Sequence, residues 1–401
     1  MKQLKAFFVA LILAVISMIG LHFYARSHLQ LNQKQFGVWT SDAKFTARQP
    51  LLANQDAHTM LIMGSSEFRN ATGSPYHIKR MFADTDFTPI LIGRDSYQSI
   101  HHALTLASIG NELSNKKVVL IVSPQWFQRR HVDPAAFTLR FSETHYLGML
   151  ENTKLSEDTK DRLIQRTKQL LSDESMLARI ELYNTVYQDQ DAGMITRIES
   201  GFFRSFIREK DCLRAIACFK ADSLSPSQKD FLPVAQAASN ELMVDRDYDW
   251  NTLYTKAETA AKAACNNPLY ESQAFYNKHK NSIKKAKGSQ KDKHYVDGAE
   301  EYSDMALFLD VCKDLQITPL LVILPNNGYW LDYTQYPKDE RQKTYQAIKD
   351  VASGYDVQIA DFTDMEYEKY LFTDNFHFSG KGWVRLNEAI YEFYKQNESA
   401  P

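Results

Sequence analysis

The stretch Leu61-Ile62-Met63-Gly64-Ser65-Ser66-Glu67-Phe68-Arg69 runs a short apolar segment directly into a glycine and two serines. Thr59–Met63 has the composition of a buried strand, and Gly64 permits a sharp turn after it. In open parallel sheets, ligands bind outside the carboxyl ends of the strands. The two hydroxyl groups therefore lie where chemistry is expected, although Ser65 or Ser66 could also simply cap a helix.

Strands and helices alternate on both sides of this turn. The elements predicted downstream are a helix Ser74–Phe82, a strand Thr88–Ile92, a helix Ser96–Glu112 and a strand Lys117–Val122. Near the C-terminus they are a strand Thr318–Leu324, a helix Lys338–Ala352, a strand Val357–Ala360 and a helix Gly382–Lys395. This alternation predicts an α/β fold with a parallel sheet flanked by helices on both faces.

A long helical stretch interrupts the alternation. We therefore predict a core made of residues 26–139 and 295–401, with a mainly helical insertion at 140–294. The insertion contains a lysine-rich run, Lys278–Lys293. Such a run is usually a solvated surface, although it could also attract an anionic polymer.

The N-terminus predicts a membrane anchor at residues 1–25. Ala6–Ala25 is a nearly uncharged segment of about twenty residues, which is enough to cross a bilayer as a helix. It does not end in the small residues of a cleavage site, so we expect it to remain uncleaved. Lys2 and Lys5 precede it, and the positive-inside rule favours a cytoplasmic N-terminus with the rest of the chain outside.

The composition narrows the class of protein. The 401 residues include 47 Lys and Arg against 49 Asp and Glu, so overall charge gives no reason to expect nucleic acid as a partner. Four cysteines without a C-x-x-C motif are expected to be free or buried thiols. The sequence has no H-E-x-x-H motif, Cys/His cluster or P-loop, and we predict neither a metal nor a cofactor.

A serine nucleophile needs a base, and Asp374 and His377 form the best candidate pair. The D-x-x-H spacing lets the carboxylate reach the imidazole and fix its tautomer. The pair lies after the last predicted strand and just before the last helix, and the candidate serine lies after the first strand. By itself the motif is weak, because such a pair can also be a surface ion pair.

The Gly-x-Ser turn, Gly93 after the second strand and the terminal D-x-x-H together resemble the SGNH, or GDSL-like, superfamily of esterases and acyltransferases. The resemblance implies that Ser66 is the nucleophile, and that the N–H groups of Ser66 and Gly93 are oxyanion donors. Two blocks depart from the superfamily pattern. Ser65 replaces its usual aspartate, and Gln125 lies where its asparagine is expected, as a third donor or as a structural amide.

Further segments resemble the DltD family, the D-alanyl transfer proteins of the teichoic acid D-alanylation system. They are GSSEF (64–68), VSPQWF (122–127), CNNP (265–268), EYSD (301–304), LPNNGYWLDYT (324–334) and DNFHFSGKGW (374–383). The resemblance implies an extracytoplasmic, membrane-anchored step that places D-alanine esters on lipoteichoic or wall teichoic acid in a Gram-positive bacterium. The donor would come from the D-alanyl carrier protein or a membrane O-acyltransferase, and Asn327 and Trp330 would line the acceptor groove.

Two other classes of function remain open at this stage. One is another SGNH enzyme, an O-acyltransferase or esterase that acts on a different cell-envelope polymer. The other is a non-catalytic scaffold that holds the carrier protein or a membrane acyltransferase near teichoic acid.

Overall fold

The computed structural model describes residues 2–189, 191–224, 243–244 and 247–396. Parts of the predicted insertion lie outside these ranges. Five parallel strands form the central sheet, in the order β2-β1-β3-β6-β7. They are β1 Thr59–Met63, β2 Thr88–Ile92, β3 Lys117–Val122, β6 Thr318–Ile323 and β7 Gln358–Asp361. The predicted α/β fold with a parallel sheet is confirmed.

Two short strands, β4 Met243–Val244 and β5 Asp247–Tyr248, pair with each other apart from this sheet. The α-helices before residue 143 are α1 Lys2–Ser27, α2 Gln33–Val38, α3 Asp42–Phe45, α4 Arg48–Ala53, α5 Ile78–Met81, α6 Ser99–Ile109 and α7 Pro134–Arg140. Those that follow are α8 Glu143–Glu151, α9 Glu157–Leu170, α10 Glu174–Gln188, α11 Met194–Leu224, α12 Trp250–Ala263, α13 Gln273–Ala286, α14 Glu300–Asp314, α15 Gly328–Tyr333, α16 Lys338–Ala352 and α17 Gly380–Lys395. Short 3-10 helices span Ser66–Arg69, Gly110–Glu112, Pro124–Gln128 and Thr363–Tyr367.

Strands β1, β2 and β3 and most of β6 are buried, whereas the edge strand β7 is largely exposed. Successive side chains of a strand point to opposite faces of the sheet. In β3, Val118 and Leu120 belong to the apolar cluster that contains α6 and α14. Val119 and Ile121 belong to the second cluster, which contains α12 and α17. The sheet therefore lies between two layers of helices, and the carboxyl ends of β1, β2 and β3 share one edge.

Two predicted helices begin later than the sequence pattern indicated. The helix predicted from Ser74 begins at Ile78, because His77 caps it by accepting a hydrogen bond from the Lys79 N–H group at 3.1 Å. The helix predicted from Ser96 begins at Ser99, because Ser96 has a φ of 71°, outside the helical range.

Helix α1 includes one segment, Leu4–Ser27, that is long and apolar enough to cross a membrane. Most of its described side chains are exposed, whereas Ala25 near its end is buried against α11. The predicted anchor therefore has the physical properties that a membrane helix requires.

All four cysteines are free, and Cys212 and Cys312 are buried.

Candidate active site

The turn after β1 presents Ser66 rather than burying it. Gly64 ends the strand, and Ser66 begins a 3-10 helix that continues to Arg69. Ser65 is 3% exposed, and its hydroxyl donates to the Arg94 carbonyl at 3.2 Å. Ser65 makes no side-chain capping hydrogen bond, so the capping interpretation of this turn is wrong for Ser65.

Ser66, His377 and Asp374 form a continuous chain of hydrogen bonds. Ser66 Oγ lies 2.8 Å from His377 Nε2, and His377 Nδ1 lies 2.8 Å from Asp374 Oδ2. The carboxylate accepts from Nδ1–H, which leaves Nε2 unprotonated and facing the hydroxyl. The structure thus brings together, from opposite ends of the chain, the three residues predicted as nucleophile, base and orienting group.

Local hydrogen bonds fix the loop that carries the base. Asp374 Oδ1 accepts the backbone N–H groups of Phe376 and His377, both at 2.9 Å. The Thr373 N–H donates to the His377 carbonyl at 2.8 Å, and Phe372 forms an isolated antiparallel bridge with Phe378. This closed loop leads directly into α17, so the imidazole is held by backbone geometry as well as by its carboxylate.

The electrostatics of the pair favour an imidazolium next to a carboxylate. Burial alone would lower the pKa of His377, but the Asp374 hydrogen bond and the charges of Asp374, Glu67 and Asp95 raise it above its ordinary value. Burial likewise opposes ionisation of Asp374, yet hydrogen bonds from His377 and the loop lower the pKa of Asp374. His377 is therefore suited to take up a proton.

Glu67 is a second carboxyl group at this site, and the sequence analysis missed its role. It is 3% exposed, and its Oε2 accepts the Ser65 N–H at 2.5 Å. Burial raises the pKa of Glu67, while the nearby His377 charge opposes that shift. The side chain folds back over the turn that presents Ser66. Its place directly after the serine pair is the signal that the sequence offers for this role.

Gly93 and His102 fix the carbonyl of Gly64 from two sides. Gly93 has a φ of 143°, and a Cβ added there would lie 1.9 Å from the Gly64 oxygen, so only glycine fits. His102 Nε2 lies 3.0 Å from the same oxygen and donates to it. Burial lowers the pKa of His102 to about 3, so the donor is a neutral imidazole.

Candidate oxyanion donors surround the space next to Ser66. Within the described chain, neither the Ser66 N–H nor the Gly93 N–H donates to a protein acceptor. Gln125 lies in the 3-10 helix Pro124–Gln128 that follows β3, and it lines the same pocket as Ser66, which has a volume of about 520 Å³. Ser66 and Gln125 line this pocket, whereas Gly93 is not among its lining residues, so the role of the three groups as oxyanion donors stays a prediction.

Asn327 and Trp330 are not among the residues that line this pocket, and their predicted place in an acceptor groove stays a prediction. The Asn327 side chain is 1% exposed, accepts the N–H groups of Tyr329 and Trp330 as the cap of α15, and donates to the Leu269 carbonyl at 3.0 Å. Trp330 packs in a small apolar cluster. Asn327 also supports the loop that carries Asp374 and His377, because its N–H donates to the carbonyl of Asn375 at 3.2 Å.

The pocket carries charges of both signs. Asp95 lies in its wall close enough to His377 to raise the pKa of that imidazole. Lys293 and Arg129 line the same pocket, and burial together with Arg129 lowers the pKa of Lys293. Lys293 is the last residue of the lysine-rich run, and its Nζ donates to Gln128. A ligand with a cationic group and an anionic group would find a partner for each.

Among the described residues, no group of three or more His, Cys, Asp or Glu side chains is placed to hold a metal ion. What the arrangement can do is activate a hydroxyl for attack on a carbonyl carbon. It can then stabilise the negative charge that develops on the carbonyl oxygen.

Comparison with known proteins identifies relatives over most of the chain. A family model described as DltD protein matches residues 38–395. Protein DltD of Bacillus subtilis (strain 168) is 29% identical over 345 residues, covering 85% of this chain and 83% of the relative. Protein DltD of Staphylococcus aureus (strain NCTC 8325 / PS 47) is 26% identical over 306 residues, covering 76% of this chain and 73% of the relative. Protein DltD of Lacticaseibacillus rhamnosus is 25% identical over 344 residues, covering 84% and 78%.

Proposed function

The chain belongs to the DltD family of the teichoic acid D-alanylation system, and on that premise we propose that it is a serine acyltransferase of the SGNH type that places D-alanine esters on teichoic acid. The observation that carries the proposal is the 2.8 Å approach of Ser66 Oγ to His377 Nε2, with Asp374 bonded to the opposite ring nitrogen. A non-catalytic scaffold does not require hydrogen-bonded Ser, His and Asp side chains beside an open pocket.

In the first half-reaction, neutral His377 takes the proton of the Ser66 hydroxyl while Oγ attacks the carbonyl carbon of a D-alanyl ester or thioester. The bond from that carbon to the leaving oxygen or sulfur then breaks. His377 gives its proton to the leaving group, and D-alanyl-Ser66 remains. Asp374 stays ionised and stabilises the imidazolium between these two transfers.

In the second half-reaction, an acceptor hydroxyl gives its proton to His377 and attacks the D-alanyl-Ser66 carbonyl. The bond between the D-alanyl carbonyl carbon and Ser66 Oγ then breaks, and Oγ recovers the proton from His377. Water can replace the acceptor, which gives esterase or thioesterase activity as a side reaction. In both halves, the N–H groups of Ser66 and Gly93 and the side chain of Gln125 are the proposed donors to the oxyanion.

The pocket charges suit these reactants. The D-alanyl group carries an ammonium, for which Asp95 is the proposed partner, and a teichoic acid acceptor carries phosphates, for which Lys293 and Arg129 are proposed. An anion between two neighbouring cations also relieves their mutual repulsion. This distribution favours D-alanyl transfer over transfer of an uncharged acetyl group.

Helix α1 is the proposed single-pass anchor, with the catalytic domain on the extracytoplasmic side. The donor would then come from the D-alanyl carrier protein through a membrane O-acyltransferase, because an acyl group activated inside the cell must first cross the membrane. No cofactor is proposed for the chain itself.

The test is D-alanyl transfer to teichoic acid by the full-length chain in detergent, with Ser66→Ala and Ser65→Ala as a matched pair. We expect Ser66→Ala to abolish transfer. Ser65→Ala should retain much of the transfer activity, because the Ser65 hydroxyl is hydrogen-bonded to the Arg94 carbonyl and is not the proposed attacking group. Circular dichroism controls for folding. Transfer that persists in folded Ser66→Ala would contradict the proposal and favour a scaffold.

A further inference from the structure

Helix α11 exposes a row of large apolar side chains that the catalytic reaction does not use. Ile195, Ile198, Phe202 and Phe206 are between 51% and 78% exposed, and Met194 beside them is 76% exposed. Contiguous exposed apolar surface of this kind marks an interaction site on a soluble domain. We call Ile195, Ile198, Phe202 and Phe206 the α11 stripe.

The spacing of the α11 stripe places it on one face of the helix. Its members follow one another at intervals of three or four residues, which is the repeat of a helix face. The same intervals continue through Glu209, Leu213, Ile216 and Lys220. The stripe is therefore the N-terminal part of a face that runs along most of α11.

The C-terminal part of that face receives the base of the membrane helix α1. His22 Nδ1 lies 2.7 Å from Glu209 Oε1, and Ala25 packs in a buried cluster with Ile216. Lys220 Nζ lies 5.2 Å from the centre of the Tyr24 ring. The last turn of the membrane helix is thus fixed on the very face of α11 that carries the stripe.

Distance along the helix places the stripe near the bilayer. With a rise of about 1.5 Å per residue, Phe206 lies about 5 Å and Ile195 about 21 Å from Glu209 along the axis. The described side chains of α1 before His22 are exposed, as expected for a helix whose surroundings are lipid. Apolar side chains this close to the end of a candidate membrane span are within reach of the bilayer surface.

We propose that the α11 stripe inserts into the surface of the lipid bilayer beside α1, so that the domain is held by two contacts rather than by one tether. Amphipathic helices bind bilayers in this way, with the apolar face buried at the boundary of headgroups and acyl chains. The bilayer is the occupant that the structure favours, because the stripe is continuous with the contact face of the membrane helix. The inference rests on the proposed anchoring of α1.

The consequence is a fixed orientation of the active site relative to the membrane. The C-terminal half of α11 packs into the main core, where the Phe219 ring lies 5.4 Å from Trp39 and 5.9 Å from Phe36. Trp39 Nε1 also donates to Asp222 at 2.9 Å. A bilayer contact at the stripe is therefore transmitted rigidly to the catalytic domain, which would otherwise rotate about the end of α1.

The test uses the full-length chain in vesicles of phosphatidylcholine and phosphatidylglycerol, with bromine atoms in the acyl chains as contact quenchers of tryptophan fluorescence. Phe202→Trp places the probe in the stripe. Leu139→Trp is the matched control, because Leu139 is a comparably exposed apolar residue, 73% against 61%, on a different helix. The five native tryptophans are at most 8% exposed and give the same background in every variant.

We expect bromolipid to quench the added fluorescence of Phe202→Trp and to leave that of Leu139→Trp unchanged. Equal quenching of the two probes, or no quenching of Phe202→Trp, would overturn the proposal. Co-flotation with the vesicles and ester hydrolysis are measured on the same samples. A chain that floats and hydrolyses ester without quenching at position 202 would refute the stripe contact alone. A chain that does not float would refute the anchor as well.

Discussion

At the scale of single residues, the candidate site differs from a simple triad because two carboxyl groups besides Asp374 act on His377. Glu67 and Asp95 both raise the pKa of His377. A base in a Ser-His pair must be unprotonated to act, so these charges set the lowest pH at which the reaction runs. They also stabilise the imidazolium that forms when Ser66 gives up its proton.

Replacing Glu67 by Gln should move the acid limb of the pH profile. Gln can still accept the Ser65 N–H, but it removes a negative charge that raises the pKa of His377. A lower pKa leaves the base neutral at lower pH, so the acid limb of kcat/KM for a small ester should shift to lower pH. Glu157→Gln, at a highly exposed glutamate on α9, is the control. An unshifted limb in Glu67→Gln would show that Glu67 carries no charge at the working pH.

Lys293 offers a second prediction, directed at the acceptor. Lys293→Met keeps much of the side-chain length but removes the charge, so transfer to a poly(glycerol phosphate) acceptor should fall about tenfold relative to transfer to glycerol, as expected for one charge-assisted contact. Lys291→Met alters an exposed lysine of the same run and should leave the ratio unchanged. Equal effects of the two variants would mean that the pocket does not recognise phosphate through Lys293.

At the scale of elements, the close approach of β1 and β2 positions the nucleophile. We predict that Gly93→Ala destabilises the protein by at least about 2 kcal/mol, because the new Cβ would meet the Gly64 carbonyl and the φ of 143° is strained for alanine. Gly73→Ala, where no heavy atom lies within 4 Å, should change the free energy of unfolding by less than about 0.5 kcal/mol. Denaturant unfolding measures both, and similar values would contradict the packing argument.

Strands and long helices could be predicted from the sequence because their apolar periodicity is local. Lys338–Ala352 was predicted with the observed bounds, and β1, β2 and β3 likewise. Helix starts depended on single residues, such as the His77 cap and the positive φ of Ser96, which periodicity does not report. Element type was therefore more predictable than element boundaries.

The details of the site depend on contacts between distant segments, and these could not be predicted. Asn327 was predicted to line a groove, but the segment that contains Leu269 folds against it, and the Leu269 carbonyl accepts a hydrogen bond from its side-chain amide. Lys293 could not be distinguished from the other lysines of its run until the fold placed it in the pocket. Ser66, His377 and Asp374 were predicted together because the serine follows the first strand and the D-x-x-H pair precedes the last helix.

At the scale of the whole molecule, one chain combines an apolar helix that is long enough to cross a membrane with a parallel sheet flanked by helices. Ser66 lies after the first strand and His377 before the last helix, so the proposed nucleophile and base meet only when these distant segments have packed together. Transfer should therefore be lost whenever the sheet is disrupted, even if the anchor and α11 remain folded.

The central claim is that Ser66 carries the D-alanyl group between donor and acceptor. The most direct measurement is peptide mass spectrometry of the full-length chain after brief incubation with a D-alanyl thioester and an acid quench. The account predicts one D-alanyl group on the peptide that contains Ser66, and none on that peptide in Ser66→Ala. Transfer to teichoic acid without any acyl group on Ser66, or with the group on another residue, would contradict it.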